Sequence, residues 1–142
     1  MMELKSQVFL VSCVAKKKTA PIAAKDLYLS AWFRLARQYV EKSDSKWFIL
    51  SAKYGLVNPN DIIEPYNETL NRKSASDRLA WAQRVQSQMT GQLPDADEIV
   101  VLAGARYREY LEPYLRLRFS SVKIPMVGLR IGEQMNWLKN NG

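Results

Sequence analysis

Residues 47–70 read WFILSAKYGLVNPNDIIEPYNETL. Trp47-Phe48-Ile49-Leu50 is an unbroken apolar run, the pattern of a strand covered on both faces. It runs into Ser51-Ala52-Lys53-Tyr54-Gly55, where small residues let other backbone come close and Gly55 permits a turn with positive φ. Asn58-Pro59-Asn60-Asp61 is turn chemistry. Asp61, Glu64, Tyr66, Asn67 and Glu68 follow within one short segment. So many hydrogen-bonding groups beside a strand end are more than a simple connector needs, and loops on a rigid scaffold are where binding and catalysis usually sit. The same residue types also cap helices and close turns, so an ordered crossover is the alternative.

Working outward, 142 residues are enough for one domain with a proper core, and a single α/β domain over residues 1–142 is expected. The apolar fraction of 47% and charged fraction of 25% are those of an ordinary globular protein. No apolar run approaches the roughly 20 residues that span a bilayer, so no membrane association is expected. The beginning, MMELKSQVFLVSC, reads as a first strand rather than a secretory leader. With one cysteine, Cys13, no internal disulfide forms, and a cytoplasmic location is the expectation. The chain has no histidine, so the commonest metal ligand and general base is missing. A metal site is not expected, nor is a Ser-His-Asp or Cys-His triad. The balance of 21 basic to 14 acidic residues gives a net charge of +7, and a basic chain of this size points to phosphate in a nucleic acid or nucleotide.

Val8–Val11 reads as another buried strand, followed by Lys16-Lys17-Lys18. A helix is expected over Ala24–Glu41, with Leu27, Ala31, Leu35 and Tyr39 near helical spacing and Tyr28, Trp32 and Ala36 widening the apolar stripe. A second helix is expected from about Ser76, its N-cap, to Met89, with Leu79, Ala82, Val85 and Met89 as its apolar face. Ile99–Ala103 is a third strand, rich in β-branched residues. A helix from about Arg106 to Arg116 follows Gly104, kinked or shortened by Pro113. Val122–Val127 is a fourth strand, whose Pro125 favours an edge or a strand end. A last helix carries Met135, Trp137 and Leu138.

This alternation predicts one three-layer domain with a four-stranded parallel sheet and helices on both faces. Ligands of such sheets bind outside the carboxyl ends of the strands. Those ends are 12–18, 51–61, 103–108 and 127–132, each rich in glycine, small or basic residues. Arg106 and Arg130 each lie two residues beyond a glycine, where helix N-termini attract anions; salt bridges within the loops are the alternative. No GxxxxGK[ST] or GxGxxG spacing is present, so no nucleotide cofactor is expected.

The strand end Ser12-Cys13 with its lysines, then Ala24-Lys25-Asp26-Leu27-Tyr28-Leu29-Ser30 and Ile49 to Leu56, set a pattern. It continues through Pro59, Pro65-Tyr66, Thr69-Leu70, Leu102-Ala103-Gly104 with Tyr107, and Gly128 to Gly132 with Trp137-Leu138. Over nearly its whole length the chain resembles a group of small bacterial and phage proteins classed as a domain of unknown function. The Tyr54-Gly55-Leu56, Pro59, Ile63, Pro65-Tyr66 loop also resembles peroxide-stress DNA-binding proteins of the YaaA type, and through them the uracil-DNA-glycosylase-like fold. That resemblance implies a pocket that stacks a base and reads its edge, with a carboxylate to position water or stabilise a sugar cation. On this chain Tyr54 and Tyr66 would stack, Asn58 and Asn67 would read the edge, and Asp61 or Glu64 would be the catalytic carboxylate. Lys16, Lys18, Lys53, Arg106 and Arg130 would hold phosphates, with Ser12, Ser51 and Tyr107 completing the binding surface. Three functions are therefore carried forward. The first is a nucleic-acid or nucleotide binder with base or nucleoside chemistry, the second an enzyme on a small phosphorylated metabolite, and the third a non-enzymatic interaction module.

Overall fold

The computed structural model describes residues 6–12 and 17–142. Cys13 and Lys16 therefore lie outside the described residues. The core of the sheet is three apolar strands, β1 (Gln7–Ser12), β3 (Lys46–Ser51) and β6 (Glu98–Leu102). Val8, Leu10, Val11, Ile49, Leu50, Ile99 and Leu102 are fully buried, as befits strands with helices on both faces. β1 pairs in parallel with β3 on one side and β6 on the other, and β7 (Ser121–Lys123) extends the parallel set beyond β6.

Here the structure corrects the four-stranded parallel expectation. A fifth strand, β4 (Gly55–Val57), turns back antiparallel against β3, giving the order β4-β3-β1-β6-β7. The reversal is local. Ser51 Oγ accepts the backbone N–H groups of Lys53 (3.3 Å) and Tyr54 (3.0 Å), and Gly55 takes φ of +77°. Gln88 then accepts from Leu56 N (2.8 Å) and donates to Tyr54 O (3.1 Å), tying the hairpin to the helix beneath. A two-stranded antiparallel ribbon, β2 (Ile22–Ala23) with β5 (Ile62–Ile63), was also not foreseen.

Two expected helices are each split. The first is a short α1 (Ala24–Leu27) and a longer α2 (Ala31–Lys42). Tyr28 leaves the helix because its backbone bridges to Lys17, and Ser30 starts α2 by accepting from Phe33 N at 3.1 Å. The second becomes α4 (Ala105–Arg108) and α5 (Glu112–Arg118). Pro113 lies in the first turn of α5, where its missing N–H costs nothing. α3 (Ala75–Gln92) runs past Gly91 and is capped by Ser74, not Ser76. Its buried face is Trp81, Ala82, Val85 and Met89, while Leu79 is exposed. α6 (Ile131–Asn141) closes the described chain. β7 stops at Lys123, before Pro125, which has no N–H to give the ladder.

β3 lies on one side of β1 and β6 on the other. Right-handed crossovers of opposite direction put their helices on opposite faces. α2 covers one face together with α6, the Tyr39 and Trp137 rings meeting at 5.1 Å with their planes tilted by 59°. On the other face α3 and α5 are joined by Arg118, which donates from Nη1 to Met89 O (2.7 Å). No helix among the described residues is long and apolar enough to cross a membrane.

Candidate functional site

The parallel strands all end on one edge, and the strand order reverses at β1, the geometry that opens a crevice beyond the strand ends. Two regions of that edge differ. Over β3 and β1 the loops are closed on each other. The hydroxyls of Tyr28 and Tyr66 share a hydrogen bond of 2.8 Å, while Ala24 N to Asp61 O (2.8 Å) and Lys25 N to Pro59 O (2.9 Å) tie the same two segments together toward the amino end of β3. Tyr66 also meets Tyr54 edge to face at 5.6 Å, and Lys17 Nζ stands 4.4 Å from the Tyr66 ring centre. Over β6 and β7 the edge is open. A cleft of about 220 Å³ is lined by Val101, Ala103 and Ile124 below, by Gly104, Ala105 and Arg108 on one wall, and by Trp32 and Gln134 on the other. Met126 to Leu129 complete it.

The polar groups of this cleft are not equivalent. Trp32 Nε1 donates to Gln134 Oε1 (2.9 Å), and Gln134 Nε2 donates to Leu129 O (2.8 Å), so the indole and the amide hold each other and the turn. Arg108 has no ion pair or side-chain hydrogen bond among the described residues, and its Nε is sealed from solvent without a partner. A buried donor left unpaired costs about 1–3 kcal/mol, more when it carries charge. Neighbouring arginines show the usual alternative: Arg78 Nε is 2.6 Å from Glu109, and Arg118 is held by backbone carbonyls and Tyr114. Gly104 and Gly128 leave open space, since a Cβ at either would meet nothing within 4 Å.

The sequence-predicted residues distribute as follows. Ser12 is buried at the end of β1. Ser51 is fully buried, and both its oxygens are engaged, Oγ by the hairpin turn and O by Trp81 Nε1 at 2.9 Å. Tyr107 is buried, its hydroxyl accepting from Leu70 N at 3.4 Å. Lys18, Lys53, Asn67, Arg106 and Arg130 are exposed. Lys53 Nζ lies 5.3 Å from the half-buried Tyr54 ring, whose hydroxyl donates to Glu64 O at 3.2 Å. Arg130 is the N-cap of α6, its N–H donating to Glu133 at 3.0 Å. Asp61 and Glu64 are not brought to the open cleft. β4 carries the chain back alongside β3, so Asn58, Asn60 and Asp61 line a groove with Lys46, Trp47 and Phe48, at the amino end of β3. Glu64 borders a shallow depression with Tyr54 and Asp61 on the way back. Neither carboxylate lines the Arg108 cleft. A carboxyl that is held low lies elsewhere: the hydrogen bond from Arg37 to Asp26 (2.7 Å) keeps it below its ordinary 3.8.

Sequence reasoning missed Trp32, Arg108 and Gln134. Arg106 and Arg108 flank the buried Tyr107, and each sits about 100° around a helix from it. Composition gives no means to tell which of the two turns inward. Trp32 belonged to an apolar stripe, and only the partner of its indole N–H marks it as half-polar.

A model described as "Family of unknown function (DUF6884)" matches residues 8–140. The chain is also similar to the uncharacterized protein YfjM of Bacillus subtilis (strain 168), at 30% identity over 72% of this chain and 72% of that protein. No solved structure matches the chain.

Proposed function

We propose a function for a chain that belongs to the DUF6884 family of unknown function: it binds a phosphate-bearing ligand, a nucleotide or a strand of nucleic acid, at the carboxyl edge of its sheet. The observation that carries this reading is Arg108, a partly desolvated guanidinium without an anion, beside a glycine-lined cleft. Removing a cation from water without a counter-charge is costly, and an anionic ligand supplies what the fold omits. The net charge of +7 favours the same class of partner. Exposed Lys53 beside Tyr54 adds a cation and a ring on which a base can stack. The resemblance to glycosylase-like proteins supports nucleic acid as the source of the phosphate. No carboxylate lines the cleft, so the reading is of binding and not of base or glycosidic chemistry.

The test is binding of uridine 5′-monophosphate and of a labelled single-stranded oligonucleotide, by calorimetry and anisotropy at several salt concentrations. Affinity for the oligonucleotide should fall as salt rises, since phosphate contacts release counterions. Arg108→Gln should weaken both ligands by roughly 10- to 100-fold, the worth of a charged hydrogen bond. The same change should leave the melting temperature equal or higher, because it removes an unpaired, half-buried charge. Lys53→Ala and Tyr54→Ala should weaken the oligonucleotide. Unchanged affinity in Arg108→Gln, together with a lower melting temperature, would make Arg108 a structural brace and end the proposal.

A further inference from the structure

We propose that the cleft receives the sugar-phosphate end of its ligand and leaves the base outside, so that recognition is indifferent to base identity. This rests on the phosphate reading above and narrows it to a substrate class. At about 220 Å³ the cleft is smaller than the roughly 300–1,000 Å³ of sites that engulf a whole drug-sized ligand. Part of a nucleotide enters, and the polar inventory of the walls decides which part. The indole N–H of Trp32 is spent on Gln134 Oε1, and the Gln134 amide gives one N–H to Leu129 O, which leaves it a single N–H and a lone pair against the several edge groups of a base. Arg108 apart, every other side chain lining the space is apolar, from Val101, Ala103 and Ala105 to Ile124, Met126, Val127 and Leu129, and none offers a polar group to the edge of a base. A base placed there would lose several hydrogen bonds to water, at about 1–3 kcal/mol for each group left unmatched. A phosphate needs the one thing the wall has in excess, the guanidinium of Arg108. Gly104 and Gly128 let its oxygens approach the backbone, because no side chain stands over either. The sugar then sits at the mouth, its carbons against Val127, which is exposed, and its hydroxyls remain in water.

The experiment measures, by calorimetry, binding of ribose 5-phosphate, the 5′-monophosphates of adenosine, guanosine, cytidine and uridine, the four free nucleosides, and inorganic phosphate. The four nucleotides and ribose 5-phosphate should agree within about threefold, less than the tenfold that 1.4 kcal/mol represents. Nucleosides should not bind, and inorganic phosphate should bind more weakly than ribose 5-phosphate. A Cβ at Gly104 meets nothing within 4 Å, and its φ of −66° suits any residue, so Gly104→Val is compatible with the backbone while narrowing the cleft. It should abolish ribose 5-phosphate binding with an unchanged melting temperature. One nucleotide preferred by about 100-fold, with ribose 5-phosphate silent, would overturn this inference and leave phosphate binding standing. Inorganic phosphate binding as well as ribose 5-phosphate would overturn it too, reducing the cleft to an anion site. If no phosphate ester bound at all, the broader reading would fall with it.

Discussion

Gly55 is the position at which a single methyl group should do the most damage. Its φ of +77° costs an L-residue about 1–2 kcal/mol. The Cβ of an alanine there would also collide with the side-chain amide of Gln88, whose Cδ would lie at 3.0 Å. That amide cannot retreat without breaking its bonds to Leu56 N (2.8 Å) and Tyr54 O (3.1 Å). Leu56 is buried, so its N–H would lose its partner where water cannot replace it, at about 1–3 kcal/mol. Gly55→Ala should therefore destabilise by roughly 2–5 kcal/mol, a large share of the 5–15 kcal/mol typical of a domain. The corresponding fall in melting temperature is on the order of 6–15 °C. Urea denaturation of Gly55→Ala, Gln88→Ala and the double variant separates the two causes. Gln88→Ala alone loses the same bonds, so the double variant should cost about 1–3 kcal/mol less than the sum. Strict additivity, or a Gly55→Ala cost below about 0.5 kcal/mol, would refute the collision and the account of the hairpin that rests on it.

Two further outcomes can be checked with the same assays. Arg78 is buried against Glu109 (2.6 Å) and also donates to Lys73 O, bracing the start of α3 against the α4–α5 turn; Arg78→Ala should cost about 2–3 kcal/mol, and Arg78→Lys should recover little, since an ammonium cannot reproduce the fork. The Asp26 carboxyl, held low by its hydrogen bond from Arg37, contributes stability that is complete above its ordinary value of 3.8 and is lost as pH falls through the lower folded value; Asp26→Asn should flatten the urea midpoint between pH 4 and more acid conditions and leave no such difference in slope near pH 7.

The sheet was legible in the sequence where residues are buried on both faces. Val8–Val11, Trp47–Leu50 and Ile99–Ala103 are apolar runs, and each falls on a strand within a residue or so of its ends. What was not legible depends on partners distant in sequence. Tyr28 continues a helical stripe, and only its bridge to Lys17 pulls it out. β4 has just three residues, and its pairing rests on a turn held by Ser51 and an amide from Gln88, 32 residues beyond Leu56. The parallel strands end on one edge as expected, but the expected site loop 51–61 does not stay there: β4 carries Asn58, Asn60 and Asp61 to the amino end of β3. The backbone reversal at Gly55 settled that division, and a three-residue return strand is too short to leave a pattern in the sequence.

The loop with the densest polar chemistry and the loops that form the open cleft are different loops, for a physical reason. A long connector from a buried strand has many backbone groups to satisfy. The stretch from Asn58 to Tyr66 satisfies them locally: Asn58 accepts from Asn60 N (3.0 Å) and Asp61 N (3.0 Å), Asp61 O takes Ala24 N, and Ile62–Ile63 pairs with Ile22–Ala23. Its polarity is consumed in ordering itself against the segment that follows β1. The loops after β6 and β7 are short, and each carries a glycine, Gly104 and Gly128. With little side chain to fill the space over the strand ends, they leave a hollow, and Arg108 beside it has no ion pair among the described residues and an Nε without a hydrogen-bond partner. A fold normally pairs a half-buried charge or discards it. An arginine whose Nε stays unpaired beside empty space costs stability, and the proposed anionic ligand would offset that cost.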